Sequence, residues 1–183
     1  MDQYVKRIGR TLIRKGSILD MYDDEMLLPD GSVEHWDFVS HRKGAAAVVA
    51  VLPDGKLLLV RQYRPALDRM TLELPAGSRD SSKEPTITCA KRELREETGC
   101  ISDPLKRLLS LKTTVAFCDE LVDVYLAENC RPVGKQKLDP AETIGIEQWE
   151  LSDLIPRIFD GTLQDSKTVA GLLAYREYLR QKL

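Results

Sequence analysis

The amino-acid sequence predicts an α/β protein, in which a mixed β-sheet lies between helical layers and a small antiparallel β appendage precedes it. One observation is the apolar run GAAAVVAVLPDGKLLLV at 44–60, where two strands flank a Pro-Asp-Gly turn. Another is the segment 86–98, whose apolar residues recur at helical spacing. Two further helical segments end the chain. Several strands accompanied by a few helices are expected to form a sheet whose apolar faces are covered by the helices.

The first 42 residues alternate loosely between apolar and polar side chains, with a turn at Pro29–Gly31. This pattern predicts three short antiparallel strands that bury little by themselves. They need a further surface, supplied either by the rest of the chain or by a second subunit. We therefore expect an appendage over 1–42 and a main domain over 43–183.

The main domain opens with the apolar hairpin and continues in a short strand, TLELPAG at 71–77. A polar loop leads to the helix at 86–98, for which Thr86 or Thr88 is the expected N-cap and Gly99 the stop. The last helix has Ser166 as its expected N-cap. The remaining predicted elements are strands at 105–115, 121–128 and 143–151 and helices at 151–161 and 166–183.

Composition excludes several functional classes. The net charge of −2 gives no general attraction to nucleic acid or anionic membranes. No apolar run is long enough to span a bilayer or to act as a signal peptide, so we expect a cytoplasmic protein. The four cysteines form no CxxC pair, and His35 and His41 are the only histidines. Any metal would therefore be held by oxygen ligands.

The helical segment KRELREETG concentrates acidic side chains near the end of a helix, where the dipole disfavours them. Glu93 and Glu97 share one face, with Glu96 beside them. A solvated face in which Arg92 pairs with Glu96 is the simpler interpretation. However, a strand ending in LPAG and a loop containing Glu84 precede the helix, and they bring backbone carbonyls near the carboxylates. An all-oxygen pocket of this kind suits Mg²⁺ or Mn²⁺ and hence a diphosphate substrate.

These residues resemble the signature of the Nudix hydrolases, G-x5-E-x7-R-E-U-x-E-E-x-G-U, where U is aliphatic. Two positions depart from it: six residues instead of five separate Gly77 from Glu84, and Cys100 stands where an aliphatic residue is usual. The matching residues, in register, are Glu84, Arg92, Glu93, Leu94, Glu96, Glu97 and Gly99.

The resemblance implies a Nudix-type α/β/α sandwich and a set of metal ligands. Glu93 and Glu97 look like the principal ligands of Mg²⁺, with Glu96 contributing to a second ion and the Ala76 carbonyl completing the set. A bound ion would neutralise the diphosphate and lower the pKa of a bound water.

Further residues gain roles from the same resemblance. Arg92 and Glu84 look like a salt bridge that holds the loop against the helix, and Gly77 and Gly99 look like structural supports. A catalytic acid is usual in the loop before the last strand. Glu142 is at that place, and Asp139 is the alternative.

The run VRQYRPALDRMTLELPAG is similar to ADP-ribose pyrophosphatases and related ADP-sugar hydrolases. This similarity implies that Arg64 contacts the substrate's phosphates and that Glu73 lies near its sugar; a surface arginine and a solvent-facing glutamate are the alternatives. Trp36 matches an aromatic residue that stacks on adenine, although a core or dimer-interface role suits it equally. Val115 replaces a proline that is usual in that subgroup.

The expected function is Mg²⁺-dependent cleavage of an ADP-sugar to AMP and a sugar phosphate, by a homodimer formed through the N-terminal strands. Two alternatives stay open at this point. One is a pyrophosphatase for another nucleoside diphosphate sugar, such as GDP-mannose. The other is a Nudix module that senses an ADP-ribose-like ligand without hydrolysing it, against which the intact glutamate set weighs.

Overall fold

A computed structural model describes residues 4–138 and 143–182. As far as its residues are described, the chain divides into two compact units, Met1–Gly44 with Lys112–Leu121 and Ala45–Leu111 with Val122–Leu183. The first unit thus includes a segment from the middle of the chain as well as the N-terminal strands. The domain boundary expected at residue 42 stays a prediction. Within the described ranges, no helix is both long enough and apolar enough to cross a membrane.

The first unit contains the three antiparallel strands expected from the sequence. They are β1 (Lys6–Lys15), β2 (Leu19–Leu27) and β3 (Val33–His41), with β2 in the centre. The turn at Pro29–Gly31 closes through a hydrogen bond from the Gly31 N–H to the Leu28 carbonyl, 3.0 Å long.

An ion pair with a buried carboxylate joins β1 to β2. The guanidinium of Arg10 donates two hydrogen bonds to the buried carboxylate of Asp24, at 2.5 and 2.6 Å. These bonds hold the pKa of Asp24 below its ordinary value despite burial. Arg10 also covers the rings of Tyr22 and Phe38, with its central carbon 5.2 and 3.8 Å from their centroids. The Arg10 side chain therefore both neutralises Asp24 and packs over the two aromatic rings of this part of the sheet.

The second unit is built on a mixed seven-stranded sheet of order β12-β5-β4-β10-β9, with β6 paired to β5 and β7 to β4. Strands β4 and β10 are parallel, whereas β4–β5, β5–β12, β5–β6 and β4–β7 are antiparallel. A separate two-stranded sheet pairs β8 with β11. The strands are β4 (Ala45–Val51), β5 (Leu57–Arg64), β6 (Arg69–Glu73), β7 (Ala76–Ser78), β8 (Cys100–Ile101), β9 (Leu105–Lys112), β10 (Leu121–Ala127), β11 (Arg131–Pro132) and β12 (Ile144–Trp149).

Helices cover both faces of this sheet, which explains why β4 is apolar throughout. Ala46, Val48 and Ala50 face α1 (Thr86–Thr98) and pack with Cys89, Ala90 and Leu94. The alternate β4 residues Ala47, Val49 and Val51 face α2 (Leu151–Phe159) and α3 (Ser166–Gln181), and pack with Leu154 and Leu172. The α/β/α layering expected from the sequence is therefore confirmed.

Two turns hold their expected glycines in the left-handed region. Gly55, in the Pro-Asp-Gly turn between β4 and β5, has φ +91°, and Gly99 ends α1 with φ +69°. The Gly99 N–H donates to the Arg95 carbonyl at 2.9 Å, and a Cβ at Gly99 would lie 2.4 Å from the Gly134 carbonyl oxygen. The C-terminus of α1, where the acidic residues lie, is thus fixed in place.

The expected N-caps were wrong for two helices. Pro85 precedes α1 without a side-chain cap, and the Thr86 hydroxyl instead donates to Asp123 on β10 at 2.6 Å. At α3 the cap is Asp165 instead of Ser166, since the Asp165 carboxylate accepts the Thr168 N–H at 3.0 Å. In the first case a tertiary contact takes the hydroxyl that would have capped the helix, and in the second the capping residue lies one position before the expected one.

The strand expected over 105–115 ends at Lys112. Beyond it the chain turns, and the Thr114 carbonyl accepts the N–H groups of Phe117 and Cys118 at 3.3 and 2.9 Å. Val115 is 80% exposed in this turn. The run of β-branched residues therefore did not extend the strand, because the local turn satisfies the backbone hydrogen bonds.

Candidate active site

The site is built where β7 runs through a loop into α1. Buried Cys89, Ala90 and Leu94 fix the orientation of α1 against the sheet. Glu93 and Glu97 are four residues apart and therefore lie on one face of α1, which is directed towards the β7 backbone. The Ala76 N–H donates to Glu97 Oε2 at 2.8 Å. Both glutamates are buried, so their carboxylates are held beside the LPAG turn.

The absence of a side chain at Gly77 allows the carboxylate of Glu93 to approach β7 closely. A Cβ built on Gly77 would lie 2.2 Å from Glu93 Oε1 and 2.5 Å from Oε2, closer than real Cβ atoms come to any neighbour. The missing side chain thus leaves the space that the Glu93 carboxylate occupies. This contact gives the support expected of Gly77 a physical cause.

Arg92 links the loop to the acidic face of α1. Its Nη1 donates to Glu93 Oε1 at 2.6 Å and to Glu96 Oε2 at 3.1 Å, and its Nη2 donates to the Ser78 carbonyl at 2.9 Å. Burial disfavours a charged guanidinium, but the adjacent carboxylates outweigh that effect and raise the pKa of Arg92. The expected ion pair with Glu84 is present at 3.5 Å.

Glu84 also stabilises the longer loop itself. Its Oε2 accepts the Asp80 N–H at 2.7 Å while lying 3.5 Å from Arg92. The carboxylate of Asp80 also lies 3.5 Å from the Arg92 Nε. The extra residue between Gly77 and Glu84 is therefore accommodated within a loop that still places Glu84 against α1.

The acidic residues suit a hard cation by their chemistry, although they do not yet form a finished coordination sphere. In the part of the chain that the structure describes, no three His, Cys, Asp or Glu side chains converge on a position that could hold one metal ion. The Arg92 guanidinium instead contacts both Glu93 and Glu96. Carboxylate oxygens beside a glycine turn nevertheless match the ligands that Mg²⁺ prefers. The Ala76 carbonyl stays a predicted ligand.

Cys89 lies among these groups but is not suited to nucleophilic chemistry. Its thiol is fully buried and donates to the Gly77 carbonyl at 3.4 Å. Burial, together with the nearby Glu93 carboxylate, raises the pKa of the Cys89 thiol to about 12. Cys100, at the aliphatic position of the signature, packs in the same apolar cluster as Ala90 and Leu94. Both cysteines therefore act as small apolar residues.

Arg64 and Glu73 form a second charged group, at the ends of β5 and β6. Arg64 donates through Nε and Nη2 to the two oxygens of Glu73, at 2.7 and 2.6 Å. Glu73 is only 2% exposed, so the interpretation of it as a solvent-facing strand residue was wrong. The hydrogen bonds to Glu73 outweigh burial and raise the pKa of Arg64, to which the more distant charge of Glu97 adds.

Lys167, on the first turn of α3, belongs to this second group and was missed by the sequence reasoning. Its ammonium group hydrogen-bonds Glu73 Oε2 and lies 2.9 Å from Asp165 Oδ1. Burial alone would raise the pKa of Glu73, but Arg64 and Lys167, helped by the Thr71 hydroxyl, lower it to about 2. Asp165 and Lys167 have the spacing of an ordinary helix start, so no sequence signal marked them.

The structure does not test three other expected site residues. Trp36 belongs to the first unit, where it is 44% exposed and donates its indole N–H to Glu34 at 3.2 Å. Its stacking role stays a prediction. Glu142 and Asp139, the candidates for the catalytic acid, lie outside the described residues.

The comparison with protein families decides the assignment. Residues 41–171, which include the hairpin, the LPAG turn and α1, match the NUDIX domain. The chain belongs to the Nudix family. The resemblance inferred from the signature is thereby confirmed despite the longer loop and Cys100. Nudix hydrolases generally use divalent metal ions such as Mg²⁺.

Several similar proteins match nearly the whole chain. An ADP-ribose pyrophosphatase of Bacillus subtilis (strain 168) is 34% identical over 97% of this chain and 93% of its own length. A methanol dehydrogenase activator of Bacillus methanolicus is 32% identical over 97% of this chain and 96% of its own. A crystal structure of an ADP compounds hydrolase superposes with a TM-score of 0.86 at 19% identity, covering 98% of this chain and 96% of that one. That likeness confirms the fold.

Proposed function

We propose that this Nudix protein hydrolyses the diphosphate bond of ADP-ribose or a related ADP-sugar in the presence of Mg²⁺, giving AMP and a sugar phosphate. The observation that carries the proposal is the position of Glu93 and Glu97, buried and held against the β7 backbone by Gly77 and the Ala76 N–H. The name of the Bacillus subtilis relative supports the choice of substrate.

Three carboxylates and one carbonyl would hold the cation: Glu93, Glu97, Glu96 and the Ala76 oxygen. When bound, a divalent ion would neutralise charge on the diphosphate and lower the pKa of a bound water. Mn²⁺ has the same preference for oxygen ligands and is expected to substitute. The chain's own contribution is to keep the carboxylates close together in spite of their repulsion, through the hydrogen bonds of Arg92 and the close packing at Gly77.

Arg64 is proposed to bind the diphosphate oxygens. A guanidinium has five N–H donors, and Arg64 directs the Nε and one Nη2 donor to Glu73. Its side chain is 38% exposed, so the remaining donors are accessible to a substrate. A guanidinium that is planar, always charged and held along one edge by Glu73 can bind a phosphate through its other edge.

The first unit is proposed to form a homodimer and to supply Trp36 to the adenine ring. Its strand β1 carries apolar side chains that are about half exposed, including Ile8, Leu12 and Ile13. Apolar side chains at this density on a short sheet indicate a surface that another subunit covers. The exposed indole of Trp36 is of a shape that stacks on a purine. We also propose that Glu142 or Asp139 orients the attacking water and that the protein is cytoplasmic.

Two other functions are compatible with Nudix membership. The substrate could be another nucleoside diphosphate sugar, such as GDP-mannose, since no described contact selects adenine. A ligand sensor that does not hydrolyse is the second candidate, and the relative named as an activator of methanol dehydrogenase is the observation that favours it. The intact set of Glu93, Glu96 and Glu97 favours hydrolysis over sensing.

A substrate panel separates these functions. The protein would be incubated with Mg²⁺ and, separately, ADP-ribose, GDP-mannose, NADH and diadenosine polyphosphates, and the products identified by chromatography. We expect AMP and ribose 5-phosphate from ADP-ribose at the highest kcat/KM. Faster release of GMP would move the assignment to GDP-mannose. Saturable binding of ADP-ribose without any turnover would replace the hydrolase by the sensor.

A further inference from the structure

We propose that Lys167 is a positioning residue, which acts through the buried carboxylate of Glu73 to fix the guanidinium of Arg64 for binding the substrate's diphosphate. This inference rests on the proposed function, because it assigns the phosphates to Arg64. It also replaces the expected contact between Glu73 and the sugar. Glu73 becomes the link between two cations.

The hydrogen bonds of Glu73 leave its carboxylate no capacity for a ligand. Oε1 accepts from Arg64 at 2.7 Å and from the Thr71 hydroxyl at 2.6 Å. Oε2 accepts from Arg64 at 2.6 Å and from the Lys167 ammonium group. A carboxylate has about four lone-pair sites, and four donors fill them here. At 2% exposure, Glu73 cannot reach a sugar without losing one of these partners.

Lys167 is itself held from two sides, so it can transmit a fixed position. Its Nζ lies 2.9 Å from Asp165, the N-cap of its own helix, and its side chain is only 14% exposed. The same turn of α3 is joined to the residue that follows β6, since the Leu74 N–H donates to the Thr168 hydroxyl at 2.9 Å. Glu73, the last residue of β6, and its neighbour Leu74 are therefore both bound by the first turn of α3.

Removing the ammonium group would loosen Arg64 without touching the acidic helix. Glu73 would lose one of its two cations and part of the restraint on its side-chain torsions. Arg64, which also experiences the charge of Glu97, would then sample a wider range of positions. Preorganised groups bind more tightly because less ordering is left to occur on binding. The expected effect is weaker substrate binding with the chemical step preserved.

A double-mutant cycle on KM for ADP-ribose with Mg²⁺ tests this coupling. We expect Lys167→Met to raise KM about tenfold while kcat stays within about twofold of the wild-type value. Lys167→Arg keeps the positive charge and should have a KM close to that of the wild type. In an Arg64→Ala background, Lys167→Met should add no further increase. Effects that multiply in the double variant would overturn the proposal, since Lys167 would then act on the substrate independently of Arg64. An unchanged KM in Lys167→Met would overturn it as well.

The controls separate this proposal from the proposed function and from simple misfolding. Lys56→Met removes an equivalent charge from an exposed pair with Asp54, 3.8 Å apart, and should leave KM unchanged. If Lys167→Met melts below the assay temperature, Lys167→Gln, which keeps a hydrogen-bond donor without the charge, takes its place in the cycle. Failure of the wild-type protein to turn over any substrate sinks the proposed function. Turnover with additive effects sinks only the role of Lys167.

Discussion

The second unit contains two clusters of charged side chains that differ in their balance of positive and negative charge. Around α1, one guanidinium, that of Arg92, forms ion pairs with four carboxylates, those of Asp80, Glu84, Glu93 and Glu96. At the start of α3, two cations meet two carboxylates: Arg64 and Lys167 with Glu73 and Asp165. The first cluster has an excess of negative charge, whereas the second is balanced. The difference matches the two roles we propose: a cation binds beside α1, and the α3 cluster holds the Arg64 side chain in place.

The largest effect is expected from removing a charge in the acidic cluster. Glu97→Gln keeps the size of the side chain and its ability to accept the Ala76 N–H, so the fold should be retained. Metal-dependent turnover should fall on the order of a thousandfold, because the ligand charge is lost. The measurement is kcat across a Mg²⁺ titration, with circular dichroism to check the fold.

The matched control for that change is Glu177→Gln, which removes a carboxylate from an exposed pair with Arg180 at 3.6 Å. Its kcat should equal that of the wild type. Full activity in Glu97→Gln would mean that the negative excess around α1 has no part in the chemistry.

The close packing beside the acidic cluster gives the next largest effect. Gly77→Ala would place a Cβ 2.2 Å from Glu93 Oε1, so the carboxylate must shift from its position against β7. We expect a loss of about a hundredfold in kcat/KM and a destabilisation of about 1–3 kcal/mol from overpacking. Gly134→Ala is the control, because no heavy atom lies within 4 Å of its added Cβ. Similar kinetics for the two alanine variants would refute the role of Gly77.

The balanced cluster should be visible in the pH dependence of stability. The pKa of Glu73 is lowered from 4.5 to about 2 in the folded protein, so its charge stabilises the fold above pH 4.5. That contribution, about 3 kcal/mol at most, is lost as the pH falls from about 4.5 towards 2. Urea unfolding of the wild type and of Glu73→Gln should therefore differ most at pH 7 and converge near pH 2. A difference that does not change with pH would contradict the ionised, cation-bound state of Glu73.

The smallest effect is expected at the N-cap that holds Lys167. Asp165→Asn keeps a capping side chain and removes one charge of the balanced cluster, whereas Asp165→Ala removes the cap as well. The alanine variant should be less stable than the asparagine variant by about 1 kcal/mol. Thermal unfolding of the pair measures this difference. Equal stabilities would show that Asp165 contributes through its charge alone.

The sequence predicted the acidic cluster well because its signal is local. The spacing within 84–99 places carboxylates on one helical face, and the apolar residues between them predict which face packs on the sheet. The α/β/α layering follows from the continuous apolar run of β4 for the same reason. The N-caps were predicted less well: the Thr86 hydroxyl is bound by Asp123 of β10, which is far away in sequence, and the cap of α3 is Asp165, one residue before the expected Ser166.

The sequence named Arg64 and Glu73 of the balanced cluster, but not their ion pair or the two members from the start of α3. Glu73 alternates with apolar neighbours as a solvent-facing strand residue does, and only the position of α3 shows that its face is buried. Lys167 lies 94 residues from Glu73 and carries no motif. Groups of charges that depend on long-range packing give no periodic pattern, so they are found only once the elements are assembled.

Binding of Mn²⁺ to the wild type and to Glu97→Gln, followed by isothermal titration calorimetry in the absence of nucleotide, tests the central claim most directly. The excess of carboxylates around α1 predicts saturable binding to the wild type and a loss of at least about tenfold in affinity in Glu97→Gln. The measured Mn²⁺ affinity does not depend on substrate turnover. No binding to the wild type, or equal affinity in the two proteins, would contradict the assignment of α1 as the metal-binding helix.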